Sequence, residues 1–186
     1  MRGRSEHRLQ TPIGRDLESR GVKGRLEVRS GRGMKPHEVE ISGAPIVYNT
    51  PYKVNDQFGT FSETMKPGVA RHLQSSSDTR LLLNHSGLAL ARSTTGTLRL
   101  HDTPEALRFT ATVDTRQRAA NDLCIAIERG DVTQMSCGFV VAEDEWNDDW
   151  TTRSIHRFEE LLDVSAVTYP ARPTISIALA GAGIGR

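Results

Sequence analysis

A serine hydroxyl becomes a nucleophile only when a base takes its proton and a third group orients that base, and this chain offers a candidate for each part. Ser136 lies in Gly130-Asp-Val-Thr-Gln-Met-Ser-Cys-Gly-Phe139, a strand-like segment. On a strand, Met135, Cys137, Phe139 and Val141 share one face, a core face by composition, and Ser136 shares the other with Gly138. A substrate backbone approaching along that second face would meet the hydroxyl and then a residue without a side chain. Of the six histidines, His85 is the best placed, because it follows the short apolar run Leu81-Leu-Leu83 and precedes Ser86-Gly87, where a side chain emerges at a sheet rim. Asp163 supplies the carboxylate: it interrupts Leu161-Leu-Asp-Val-Ser-Ala-Val167, and a carboxylate buried in such a run is costly unless paired. An imidazole is one partner that would satisfy it. Taken singly, the plainer readings are a strand serine beside a packing glycine, a capping histidine and a paired core acid.

The elements that must bring these three together are mostly strands. Val39, Ile41 and Ile46-Val47-Tyr48 flank a Gly43-Ala-Pro45 turn, which predicts a strand, a bend and a second strand. Leu81–Leu83 predicts a strand buried on both faces. Residues 97–101 and 107–113 alternate at period two, placing Leu107, Phe109, Ala111 and Val113 on one face of a hairpin about Asp102-Thr-Pro-Glu105. The period then changes. Ala120, Leu123, Cys124 and Ile127 form the stripe of an amphipathic helix over 117–129, stopped by Gly130. Residues 132–141 and 155–168 are again strand-like, and the acidic stretch Glu143–Trp150 between them reads as a solvated turn. Many short strands with one clear helix predict an α+β domain built as a β-barrel or sandwich with attached helices.

Composition bounds the rest. With 186 residues and 37% hydrophobic content the chain suits one domain with some tail, and no run approaches the ~18 apolar residues of a membrane helix. The basic N-terminus is followed by no apolar segment of a secretory signal, so a cytoplasmic chain is expected. The net charge of +1 is a cancellation. Residues 1–35 carry ten Lys and Arg against four acids (Glu6, Asp16, Glu18, Glu27), and the remainder carries 14 against 19. Three parts are therefore expected: a basic arm without fixed structure over 1–38, a domain over 39–176, and an Ala/Gly-rich tail over 177–186. The arm has no aromatic to stack on a base, which argues against nucleic acid. The two cysteines, Cys124 and Cys137, are spaced for neither a disulfide framework nor a metal clip, and the histidines lack metal-ligand spacing, so no metal or cofactor is expected.

The order Ile-Ser-Gly-Ala (41–44), Val-Tyr-Asn (47–49), Phe-Ser-Glu (61–63), Pro67-Gly68, Asn84-His85, Gly130-Asp131, Met135-Ser-Cys-Gly-Phe139, Leu162-Asp-Val-Ser165 and Thr168-Tyr-Pro-Ala171 resembles the prohead (capsid maturation) serine proteases of tailed bacteriophages over residues 39–174. The resemblance implies the fold of the herpesvirus assembly proteases, a distorted antiparallel β-barrel flanked by helices. It implies Ser136 as nucleophile, His85 as base and Asp163 as the third member, where the family usually carries Glu. Glu160 and His156 stand as alternatives for that third role, and oxyanion donors are expected near Ala171-Arg172. It further implies phage scaffold and major capsid proteins as substrates, the chain itself among them, a homodimer by analogy with the herpesvirus enzymes, and a place in the host cytoplasm inside the assembling prohead. The competing expectation is a catalytically inactive assembly factor on the same fold.

Overall fold

The computed structural model describes residues 18–22, 26–30, 33–56 and 59–169. In chain order its elements are β1 (Glu18–Val22), β2 (Glu27–Arg29), β3 (Glu38–Val47), β4 (Tyr52–Asp56), β5 (Gly59–Met65), β6 (Arg80–Leu83), β7 (Ser86–Arg92), β8 (Leu98–Asp102), β9 (Ala106–Asp114), α1 (Arg118–Arg129), β10 (Gln134–Trp146) and β11 (Thr152–Val167).

The periodicities map directly onto these elements. Along β9, Leu107, Phe109, Ala111 and Val113 are buried while Arg108 is exposed. The stripe Ala120, Leu123, Cys124 and Ile127 is the buried face of α1, which ends at Gly130 with φ +79° and the Gly130 N–H donated back to the Ile127 carbonyl. The acidic stretch is shorter than a loop from 143 to 150. β10 runs on through Trp146, and Asp144 is held by Arg153 Nε at 2.7 Å.

Two sheets result. The smaller orders its strands β2-β3-β9-β8. The larger runs β1-β10-β11-β5-β4, and the second half of the long β11 pairs instead with β6, which carries β7. β5 and β6 thus follow one another along the same edge of β11, both parallel to it. The sheets face each other over a common core that includes Ile41, Phe109, Met135, Cys137, Phe139 and Phe158. At Gly43 they come so close that a Cβ would stand 2.7 Å from Met135 Sδ and 2.9 Å from the Phe109 ring, so a side chain there would have to displace one or both of them.

Two expectations are corrected. A closed antiparallel barrel is not formed among the described residues: the sheets are open, because β11 spends one edge on two parallel partners in succession and β1, β2, β4, β7 and β8 have no second partner. The domain is mostly β with one α-helix, α+β in character. The arm is also not uniformly without structure, since β1 and β2 both fall within residues 1–38. β1 is built into the larger sheet by charge: Arg20, 4% exposed, reaches the fully buried Glu63 on β5 with Nε to Oε1 at 2.6 Å. The expected tail, 177–186, lies outside the described residues.

Candidate active site

Three adjoining strands, β10, β11 and β6, carry the site. Ser136 of β10 stands directly opposite Ser165 of β11, and Gly138 stands opposite Asp163. Residues directly opposite on antiparallel strands share a sheet face with Cβ atoms about 4.5–5.5 Å apart, and Asp163 lies two residues from Ser165, again on that face. Ser136, Ser165 and Asp163 therefore project from one side of the sheet.

A bulge makes this possible. By strict alternation Leu161 and Asp163 would share a face, yet Leu161 belongs to the core. Between Gly138 and Phe139 the register shifts so that Phe139 pairs with Leu161 while Gly138 pairs with Asp163, leaving Leu162 as the extra residue. Leu161 then joins Phe139 on the core side and Asp163 turns the other way.

His85 comes from the next strand over. β6 and β7 are joined by a two-residue turn, Asn84-His85, with Leu83 paired to Ser86. Both turn residues have positive φ, +52° and +56°, as the tight hairpin turn that matches strand twist requires. Asn and His are among the residues that take this conformation more often than most, though any residue with a Cβ adopts it at some cost. The turn is held by β11 and its extension. The Asn84 N–H donates to the Ala166 carbonyl at 2.9 Å, Asn84 Oδ1 accepts from the Thr168 N–H at 2.9 Å, and the His85 N–H donates to Ser165 Oγ at 3.3 Å. The imidazole then lies against Asp163, with Nδ1 to Oδ1 at 2.7 Å. Against a carboxylate, Nδ1 carries the proton and Nε2 is left as the acceptor. Asp163 is 7% exposed and also accepts from Ser165 Oγ–H at 2.5 Å, so its buried charge has two donors.

Ser136 was expected to open toward an approaching substrate; it is fully buried. β1 lies along the outer edge of β10 with Gly21 opposite Ser136, and Ser136 Oγ–H donates to the Arg20 carbonyl at 3.0 Å. Beneath this contact Glu63 accepts from Arg20 and from Arg153 Nη1 at 2.9 Å, and the Tyr52 hydroxyl donates to it at 2.5 Å. Burial alone would raise the Glu63 carboxyl, but the two guanidiniums outweigh it and hold the group below the usual carboxylate range.

Cys137, next to the candidate nucleophile, points into the core. Burial first, and then the Asp163 charge, push its thiol far above the ordinary range, which removes it as a nucleophile. Of the alternatives for the third role, Glu160 is exposed opposite Val140, and His156 is exposed on the outer surface with Nε2 at 3.5 Å from Glu145. Neither adjoins His85. Ala171 and Arg172 lie outside the described residues. Among the described residues no three His, Cys, Asp or Glu side chains gather as metal ligands. Ser165 and Arg20 were not singled out as site residues. The signal for Ser165 was a second buried polar group two residues after Asp163; for Arg20 no local signal exists.

A hydroxyl, an imidazole and a carboxylate on neighbouring strands of a mostly β domain are the residue types that a serine hydrolase's triad combines. The family can be given more closely. The family model of the caudovirus prohead serine proteases matches residues 25–184, and the chain belongs to that family. Neither a curated protein nor a solved structure matches the chain. Family membership places the chain among proteins that act in the assembling phage capsid, and no helix among the described residues is long and apolar enough to cross a membrane.

Proposed function

We propose that this chain is a serine endopeptidase that cleaves phage scaffold and major capsid proteins, and itself, inside the assembling prohead, on a fold related to that of the herpesvirus assembly proteases. Ser136 is the nucleophile, His85 the general base and Asp163 the residue that orients it. The observation that carries the reading is the 2.7 Å bond from His85 Nδ1 to Asp163, in a chain matched by the prohead protease family. The departure from Glu to Asp leaves no gap, because the Asn84-His85 turn brings the imidazole to the shorter side chain.

In the reaction His85 Nε2 takes the Ser136 proton as Oγ bonds to the scissile carbonyl carbon. Asp163 stabilises the imidazolium, which then protonates the leaving amine as the C–N bond breaks. Water, deprotonated by the same imidazole, attacks the acyl ester and releases Ser136. The full burial of Ser136 favours a second reading, a catalytically inactive assembly factor on the protease fold. One experiment separates the two. The chain is co-expressed with the scaffold and capsid proteins of its phage, as wild type and as Ser136→Ala, and the product termini are read by mass spectrometry. Processing in the wild type alone is expected; equal processing in both, or none in either, overturns the proposal.

A further inference from the structure

We propose that Ser165 is a positioning residue of this site, acting on the imidazole through both the carboxylate and the backbone that hold it; the inference rests on the protease reading above. Ser165 is fully buried and uses its hydroxyl in both directions. It donates to Asp163 Oδ1 at 2.5 Å, the same oxygen that receives His85 Nδ1, and it accepts the His85 backbone N–H at 3.3 Å. It is also the residue directly opposite Ser136. One hydroxyl therefore ties together the strand of the nucleophile, the orienting acid and the turn of the base.

Its two bonds do different things. The donated bond fixes which way the Asp163 carboxylate faces, since a carboxylate with a single partner can swing about its terminal torsion. The accepted bond ties down the N–H of a residue at φ +56°, a conformation that persists in a histidine only where its surroundings determine it. A valine or alanine would satisfy strand packing at a buried β11 position; only a hydroxyl satisfies both polar partners. Its two hydrogen bonds run to Asp163 and to the His85 backbone, so its effect passes through those residues.

The test uses the full chain and a fluorophosphonate, which labels activated serines, with the labelling rate read by intact mass in four variants: Ser136→Ala, Ser165→Ala, Asp163→Asn and the double variant of the last two. Proton NMR follows the low-field resonance of the His85–Asp163 bridge. Ser165→Ala is expected to slow labelling about 10-fold or more, the scale of losing a hydrogen bond to a charged group, and to shift or broaden the bridge resonance. In the Asp163→Asn background the same change is expected to cost clearly less than in the wild type but still something, because the route through the carboxylate is already cut while the His85 N–H still loses its acceptor. Wild-type labelling and an unmoved resonance in a folded Ser165→Ala chain overturn the inference, as does an equal further loss in both backgrounds. Should the alanine variant fail to fold, Ser165→Cys keeps the volume with a weaker donor, and the same resonance and rate decide. Labelling of Ser136→Ala at the wild-type rate, or a wild type that takes no label, overturns the protease reading alone; the bridge resonance still reads Ser165.

Discussion

Arg20→Leu is the substitution whose outcome the structure constrains most tightly. Glu63 is fully buried and receives Arg20 Nε at 2.6 Å, Arg153 at 2.9 Å and the Tyr52 hydroxyl at 2.5 Å. Removing one partner of a buried ion pair costs about 3–5 kcal/mol, because the remaining charge stays desolvated. Arg153 and Tyr52 still hold Glu63, which puts the expected loss near the lower figure, about 3 kcal/mol. Against a total stability of about 5–15 kcal/mol this moves a urea midpoint by about 1–2 M. The pH dependence follows from Glu63, whose carboxyl is held below its ordinary value in the folded chain. Its stabilising contribution is present above the ordinary carboxylate range and fades as the pH falls through the lowered folded value. The gap between wild type and Arg20→Leu is therefore expected to be full at pH 7 and to narrow in the acid range below about pH 4. Adding Glu63→Leu removes the stranded charge and should restore more than half of the loss, since Arg153 keeps Glu18 and Asp144 as partners. Urea titrations at pH 7 and pH 3.5 on the three variants measure all of this. A cost under about 1 kcal/mol, a gap that does not shrink in acid, or no recovery in the double variant would refute the account of how β1 is anchored.

Two further outcomes follow from the site. In the folded chain at pH 8, iodoacetamide should leave Cys137 unmodified for hours while alkylating it promptly in urea, because burial keeps the thiol protonated; prompt labelling of the native chain, read by peptide mass, would contradict its placement in the core. Asn84→Ala loses the bonds from the Thr168 N–H and to Thr168 Oγ1 and sets alanine at φ +52°. It should cost about 2–3 kcal/mol in thermal unfolding and lower kcat more than it raises KM, whereas an alanine variant as stable and active as wild type would show that the turn needs no clamp.

What was legible in the sequence is what local period encodes, and what was not is what distant charge and pairing encode. The stripe of α1 and the alternation of β9 are written within a dozen residues each, so their faces could be assigned without a structure. Asp163 was legible for a different reason: a carboxylate in an apolar run must have a partner, and the partner it has is one of the six histidines, 78 residues away. β1 carried neither signal. Glu-Ser-Arg-Gly-Val has no alternation, and in a segment rich in cations Arg20 looks like one more solvated charge; its role exists only because Glu63 and Arg153 meet it inside the sheet. The barrel failed for a related reason, since the parallel pairing of β11 with β5 and then β6 is invisible in any one strand. These omissions bear on the chemistry. The strand that charge composition assigned to the arm supplies the carbonyl that receives the Ser136 hydroxyl. A substrate carbonyl can reach that hydroxyl only if its access changes, and a strand held by buried ion pairs is a costly place for the change to occur. The opposite side is held without ion pairs between arginines and acids: the Asn84-His85 turn is partly exposed and tied to β11 and Thr168 by a few hydrogen bonds, and any movement there would carry the His85 imidazole with it.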